Sequence, residues 1–165
     1  MVTQTVSKAF TKVFGSRNDR LLKKYRQRVA RINELETDVQ RLSDPELKAK
    51  TQSFRDRLAE GESMNAVLPE ALAVAREAMD RAVGMRNVFD PEHAFDPSRL
   101  PAGLQDTFKA VQAEVDACEP DPVMGGEPAP GHLQVDVPVE LYDAIRELFP
   151  KSRPPFRTRP FDVQL

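Results

Sequence analysis

Apolar positions along this chain recur at steps of three and four rather than two, a spacing that predicts helices and no strand of useful length. Residues 2–14 place Val2, Val6, Phe10, Val13 and Phe14 on one arc with Lys8 and Lys12 opposite, a short amphipathic helix ended by Gly15 and Ser16. A long second helix follows, with Asn18 or Asp19 able to cap it. Its stripe is Leu21, Leu22, Tyr25, Val29, Ile32, Leu35, Val39 and Leu42. Ser43-Asp44-Pro45-Glu46 reads as a capping box, with proline tolerated in the first turn. The helix behind it carries Leu47, Thr51, Phe54 and Leu58 on one face and stops at Gly61. Pro69 stands near the start of a fourth helix, which directs Leu68, Leu72, Ala75, Met79, Ala82 and Val83 inward and ends before Gly84.

The character changes after Arg86. Asp90-Pro91, Asp96-Pro97 and Leu100-Pro101 make residues 87–103 a turn-rich connector. Helical spacing returns over residues 104–117 (Leu104, Phe108, Val111, Val115) and 139–149 (Leu141, Ile145, Leu148, Phe149). Between them, residues 118–138 form a loop rich in proline and glycine, and residues 150–160 are a basic, proline-rich linker. The last five residues, Phe161-Asp162-Val163-Gln164-Leu165, are apolar for a terminus and read as the lead-in to a further buried element.

Charge sharpens this picture. The net charge of −2 conceals an asymmetry: residues 1–31 hold nine Lys and Arg against the single acid Asp19, so the rest of the chain carries the excess of acid. A basic arm on an acidic body predicts an anionic surface as its counterpart. For residues 2–14 the short helix, apolar on one side and lysine-bearing on the other, points to a weak, reversible interfacial anchor through Val6, Lys8, Phe10, Lys12, Val13 and Phe14. The basic residues of the second helix read more simply as its wet face. No aromatic residues are interleaved with them as stacking platforms, so sequence-specific nucleic-acid binding is not expected.

Catalytic machinery is not legible. No glycine is followed by lysine, so the 165 residues contain no phosphate-cradling Gly-x-x-x-x-Gly-Lys loop. His93 and His132 have no Cys or His at ligand spacing, and Cys118 beside Glu119 lacks the basic neighbour that would activate a thiol. A lone cysteine fits a reducing compartment, and no apolar run reaches the roughly 18 residues of a membrane span.

Lys12-Val13-Phe14-Gly15-Ser16-Arg17-Asn18-Asp19-Arg20 resembles the opening of the SecA family, ATP-driven motors of bacterial preprotein translocation. The resemblance continues through Leu42-Ser43-Asp44-Pro45-Glu46-Leu47-Lys48-Ala49-Lys50-Thr51 and Phe54-Arg55-Asp56-Arg57-Leu58. It extends through Pro69-Glu70-Ala71, Ala75-Arg76-Glu77-Ala78 and Gly84-Met85-Arg86. In that family the Gly-Met-Arg string runs through one residue into Phe-Asp-Val-Gln-Leu, whereas here about 74 residues separate Arg86 from Phe161. The chain thus divides into a basic arm (1–16), the helical start of a nucleotide-binding domain (17–86), an insertion with two candidate helices and proline-rich loops (87–158), and an adenine-motif-like end (159–165).

The resemblance implies a mainly α fold: the helical amino-terminal segment of an α/β motor domain, with a partly helical, proline-rich insertion and no complete sheet. It assigns adenine contact to Gln164, whose amide can both donate and accept, with Phe161, Met85 and either Arg86 or Arg159 shaping the pocket. ATP with Mg2+ is the family's cofactor. Without a phosphate loop, these residues alone are expected neither to bind it strongly nor to hydrolyse it. The resemblance further implies a SecY-type channel, anionic phospholipids, preprotein and the ribosome as partners, and a cytoplasmic location peripheral to the inner face of the bacterial plasma membrane. The sequence also admits a non-enzymatic helical adaptor using the same arm. An apolar stripe on the second helix without cover would favour self-association.

Overall fold

The computed structural model describes residues 17–119 and 129–164. The expected arm, with Val6, Lys8, Phe10, Lys12, Val13 and Phe14, lies outside the described residues, as do residues 120–128 and Leu165. Among the described residues five α-helices carry the fold: α1 (Arg17–Gln40), α2 (Asp44–Ala59), α3 (Met64–Val83), α4 (Ala102–Ala117) and α5 (Val139–Leu148). Short 310 turns join them, and no sheet is present among the described residues.

Local chemistry explains most boundaries. α1 is already helical at Arg17, so Asn18 and Asp19 lie within its first turn instead of capping it. Ahead of α2, the Ser43 amide and hydroxyl both donate to Glu46 Oε2, at 2.8 and 2.7 Å. α2 ends with Gly61 at φ +95°, where Glu62 N–H reaches back to the Arg57 carbonyl at 2.9 Å. α3 begins at Met64, five residues before Pro69, because Ser63 caps it by accepting from Ala66 N–H. Pro69 is therefore inside the helix and forfeits one backbone bond. In the connector, Asp90 and Asp96 each accept the amide two residues on, from Glu92 and Ser98, and so turn the chain ahead of each proline.

The three amino-terminal helices form one layer. α3 runs alongside α1, with Arg28 bonded to Asn65 near one end and Arg81 to the Gln40 carbonyl at the other. α2 returns antiparallel to α3, pairing Arg57 with Glu70 and Asp44 with Arg81. Their apolar core is small: Ile32, Val39, Leu47, Ala73 and Val74, with Leu35, Leu42, Phe54 and Leu72 against it. Leu21, Leu22 and Tyr25 continue the α1 stripe but stay about half exposed, since α3 starts too late to cover them.

The face of α3 differs most from expectation. Ala75, Met79 and Val83, expected inward, are exposed, and the buried positions include Arg76, Glu77, Asp80 and Arg81. Beside the buried Val67, Ala73 and Val74 this helix turns four charges in, because each buried charge meets an opposite charge on another element.

Residues 85–157 build the larger apolar core: Met85, Val88, Phe89, Leu100, Phe108, Val111, Val135, Val137, Leu141, Tyr142, Ala144 and Ile145. Phe89 stacks on Phe108 with centroids 4.8 Å apart, and Phe95 meets Phe156, which lies against Phe149. This segment is thus a lobe with its own interior, fastened to the helical layer through buried ions.

Asp44 is the hub of that fastening. It accepts from Arg81 Nη1 (3.0 Å), Arg86 Nη2 (2.6 Å), Val137 N–H (2.9 Å) and the Tyr142 hydroxyl (3.0 Å). Arg81 also bonds Glu77, which takes Arg146 from α5, and its guanidinium lies 4.5 Å from the Tyr142 ring centroid. A second anchor holds the returning chain: Asp80 binds Arg157 Nη2 at 2.8 Å and Thr158 N–H at 2.8 Å.

Gly84 sits where that returning chain crosses the end of α3. A Cβ there would stand 2.6 Å from the Asp80 carbonyl oxygen, 2.7 Å from Thr158 N and 3.0 Å from Arg157 Cα. All three are backbone atoms and cannot step aside. Gly84→Ala is expected to destabilise the fold by about 1–3 kcal/mol in denaturant unfolding. An unchanged midpoint would mean that the crossing is looser than described.

Candidate nucleotide-contact site

Three elements converge on one cleft. α1 contributes Asn33 and Glu36, three residues apart and so on one helix face. α3 contributes Arg76, and the chain that follows the Asp80 anchor delivers Arg159, Phe161, Asp162 and Gln164. A cavity of about 490 Å3 is lined by Asn33, Arg159, Phe161 and Asp162.

Arg159 makes a two-point pair with Glu36, Nε to Oε1 at 2.6 Å and Nη2 to Oε2 at 2.7 Å. Its backbone N–H donates to the Ser152 hydroxyl, which donates in turn to the Arg159 carbonyl, both at 2.8 Å. Burial alone would raise the Glu36 pKa, but the bond and charge of Arg159 and the charge of Arg76 hold it below the usual carboxylate value. The Arg159 guanidinium is correspondingly held more firmly protonated by Glu36. Asp162 Oδ1 accepts from Arg76 Nη2 at 3.0 Å and Oδ2 from Asn33 Nδ2 at 3.3 Å. Asn33 Oδ1 closes the circuit by accepting from Arg76 Nη1 at 2.7 Å.

Phe161, 58% exposed, faces solvent beside the cavity. Gln164 folds back on the same turn, its Oε1 accepting Phe161 N–H at 2.7 Å. The structure therefore sets Arg159 and Phe161 on the cavity wall and holds Gln164 on the Phe161 turn. Met85 and Arg86 are elsewhere: Met85 is fully enclosed in the lobe's apolar core. Arg86 spends its guanidinium on Asp44 and on the His132 and Val135 carbonyls, each at 2.6 Å. Of the two arginines expected to compete for one position, Arg159 lines the cleft and Arg86 fastens the lobe.

Asn33, Glu36, Arg76 and Asp162 were not singled out by sequence reasoning, since partners separated by 86 to 129 residues leave no linear trace. A second, more apolar groove of about 480 Å3 runs between α2 and α3, with Leu47, Phe54, Val74, Ala78 and Ala82 among its walls. Among the described residues no group of three or more His, Cys, Asp or Glu is arranged to hold a metal. No helix among them is long and apolar enough to cross a membrane.

Residues 10–90 match the family model of the SecA DEAD-like domain. The chain is 63% identical over 82 residues to the protein translocase subunit SecA of Chromobacterium violaceum, a match covering 50% of this chain and 9% of that protein. It is 61% identical over 77 residues to the same subunit of Acidovorax sp. strain JS42, covering 47% of this chain and 8% of that protein. Against the SecA subunit of Neisseria meningitidis serogroup A it is 60% identical over 76 residues, 46% of this chain and 8% of that protein. The chain therefore corresponds to less than a tenth of the length of these relatives, and no solved structure matches it. Over residues 10–90, just under half of its length, this chain is SecA-like: it matches the SecA DEAD-like domain and resembles SecA subunits at 60–63% identity.

Proposed function

We propose that the chain is the amino-terminal part of a SecA-type, ATP-driven subunit that moves preproteins through a SecY-type channel. Identity of 60–63% to protein translocase subunits across the amino-terminal half carries this reading. In it, residues 2–14 meet anionic phospholipid and the channel from the cytoplasmic side, and Arg159, Phe161 and Gln164 contact the adenine of ATP. The exposed ring of Phe161 on a cavity that Arg159 also lines, with Gln164 on the same turn, supports the base contact. A glutamine reads adenine by donating and accepting at once. Because Oε1 is engaged by Phe161 N–H, a two-bond reading requires that contact to open, and otherwise only the amide donor serves. Phosphates and Mg2+ would need groups that the 165 residues do not contain, so the nucleotide contact is weak and turnover by this chain absent.

The membrane part of the proposal has a direct test. The purified chain is expected to cosediment with vesicles rich in anionic lipid at low salt, to be released by salt, and to lose binding when residues 1–14 are removed. Adding SecY-type channel to the vesicles is expected to raise the bound fraction. Binding indifferent both to the deletion and to the channel would sink the reading.

A further inference from the structure

The turn that carries Phe161 and Gln164 is pinned at two points, both on α1. Arg159 bonds Glu36, and three residues on Asp162 bonds Asn33, itself three residues before Glu36. Two contacts of matched spacing fix the orientation of the segment as well as its place, and they leave Phe161, between them, facing outward. Arg76 stands behind both. At 2% exposure it cannot touch a ligand in the cleft, yet it binds Asp162 and Asn33 and lies 3.6 Å from Glu36. Its Nε has no hydrogen-bond partner among the described residues. A buried guanidinium with an unsatisfied donor costs stability, and the groups it does bind are those that hold the turn.

We propose that Asn33 and Arg76 are positioning residues, which seat the 161–164 turn for nucleotide contact by clamping the Asp162 carboxylate. The inference rests on the nucleotide reading above and adds to it the residues that set the turn's geometry. Arg76 orders Asn33 through its Oδ1, Asn33 and Arg76 share the two oxygens of Asp162, and Glu36 holds the Arg159 side. With the clamp closed, Phe161 and Gln164 sit beside the cavity already ordered, and binding does not have to supply that order. With it open, the same contacts must be made by a loosely held segment.

The test uses the full chain with ATP and adenosine as probes, followed by NMR. Asn33→Ala and Asp162→Asn change exposed side chains, so folding is expected to survive; Arg76→Lys is the riskier buried variant. In both exposed variants, exchange of the Phe161 and Gln164 backbone amides is expected to accelerate by about tenfold while α1–α3 amides keep their rates. ATP and adenosine are expected to shift the Phe161 and Gln164 signals in the unmodified chain and to bind several-fold more weakly to the variants. Asp162→Glu should recover part of the loss. Terminal exchange or affinity unchanged by Asn33→Ala and Asp162→Asn would overturn the positioning role even if ATP binds. No response of the unmodified chain to either probe would overturn the nucleotide reading, and the role with it, whatever the exchange rates show.

Discussion

Asp44→Ala is expected to lower stability by about 3–5 kcal/mol, the cost of removing one partner from a buried ion pair. The aspartate is 5% exposed and faces two guanidiniums, a backbone amide and a phenol. Its loss leaves the buried Arg86 without its carboxylate, leaves Arg81 with Glu77 alone and strips Val137 N–H of its acceptor. Guanidinium unfolding would measure the loss. A midpoint shift worth less than about 1 kcal/mol would mean that water or a rearranged acid replaces the hub.

The same carboxylate gives stability a pH dependence of defined sign. Burial pushes its pKa up, but the Val137 amide, the charge of Arg86 and the bond from Arg81 more than offset this and hold it below the usual aspartate value. A depressed carboxylate contributes stability that is fully present above its unfolded value, about 3.9, and is lost as pH falls through the folded value. Glu36 and Glu70 are depressed as well and act in the same direction. Acid unfolding is therefore expected below about pH 4, and the Asp44→Ala variant should show a shallower fall in that window.

Asp80→Ala is expected to have an effect of similar size, about 3–5 kcal/mol, by freeing the buried Arg157 and the Thr158 amide together. The informative comparison is the double variant Asp80→Leu with Arg157→Met. Replacing both charges removes the unpaired ion, so part of the stability should return. The Thr158 N–H still lacks an acceptor, which costs about 1–3 kcal/mol. Thermal melts of the single and double variants would separate these contributions. A double variant no better than the single one would show that the ions themselves were not the source of the cost.

Much of the helical frame was legible because helix signals are local. The capping box at Ser43, the stop at Gly61 and the stripes of α4 and α5 all lie within a few residues of what they specify. α3 defeated the same reading at one point. Periodicity assigns the apolar arc to the interior, but Arg76, Glu77, Asp80 and Arg81 are buried by partners on α1, α2, α5 and the returning chain. Such pairs are specified by three-dimensional closure alone. The division of labour between Arg86 and Arg159 was illegible for the same reason: Arg86 keeps the upstream side of the family string and Arg159 the downstream side, and only Asp44 and Glu36 distinguish them.

The near-collision at Gly84 has one further consequence. The chain leaves for the lobe at Met85 and comes back at Arg157 and Thr158 within contact distance of its point of departure. A closed excursion of this kind can be spliced into a scaffold without stretching what flanks it. The helix before it and the turn after it need not be moved apart to make room. In geometric terms the lobe is a parenthesis whose two brackets touch.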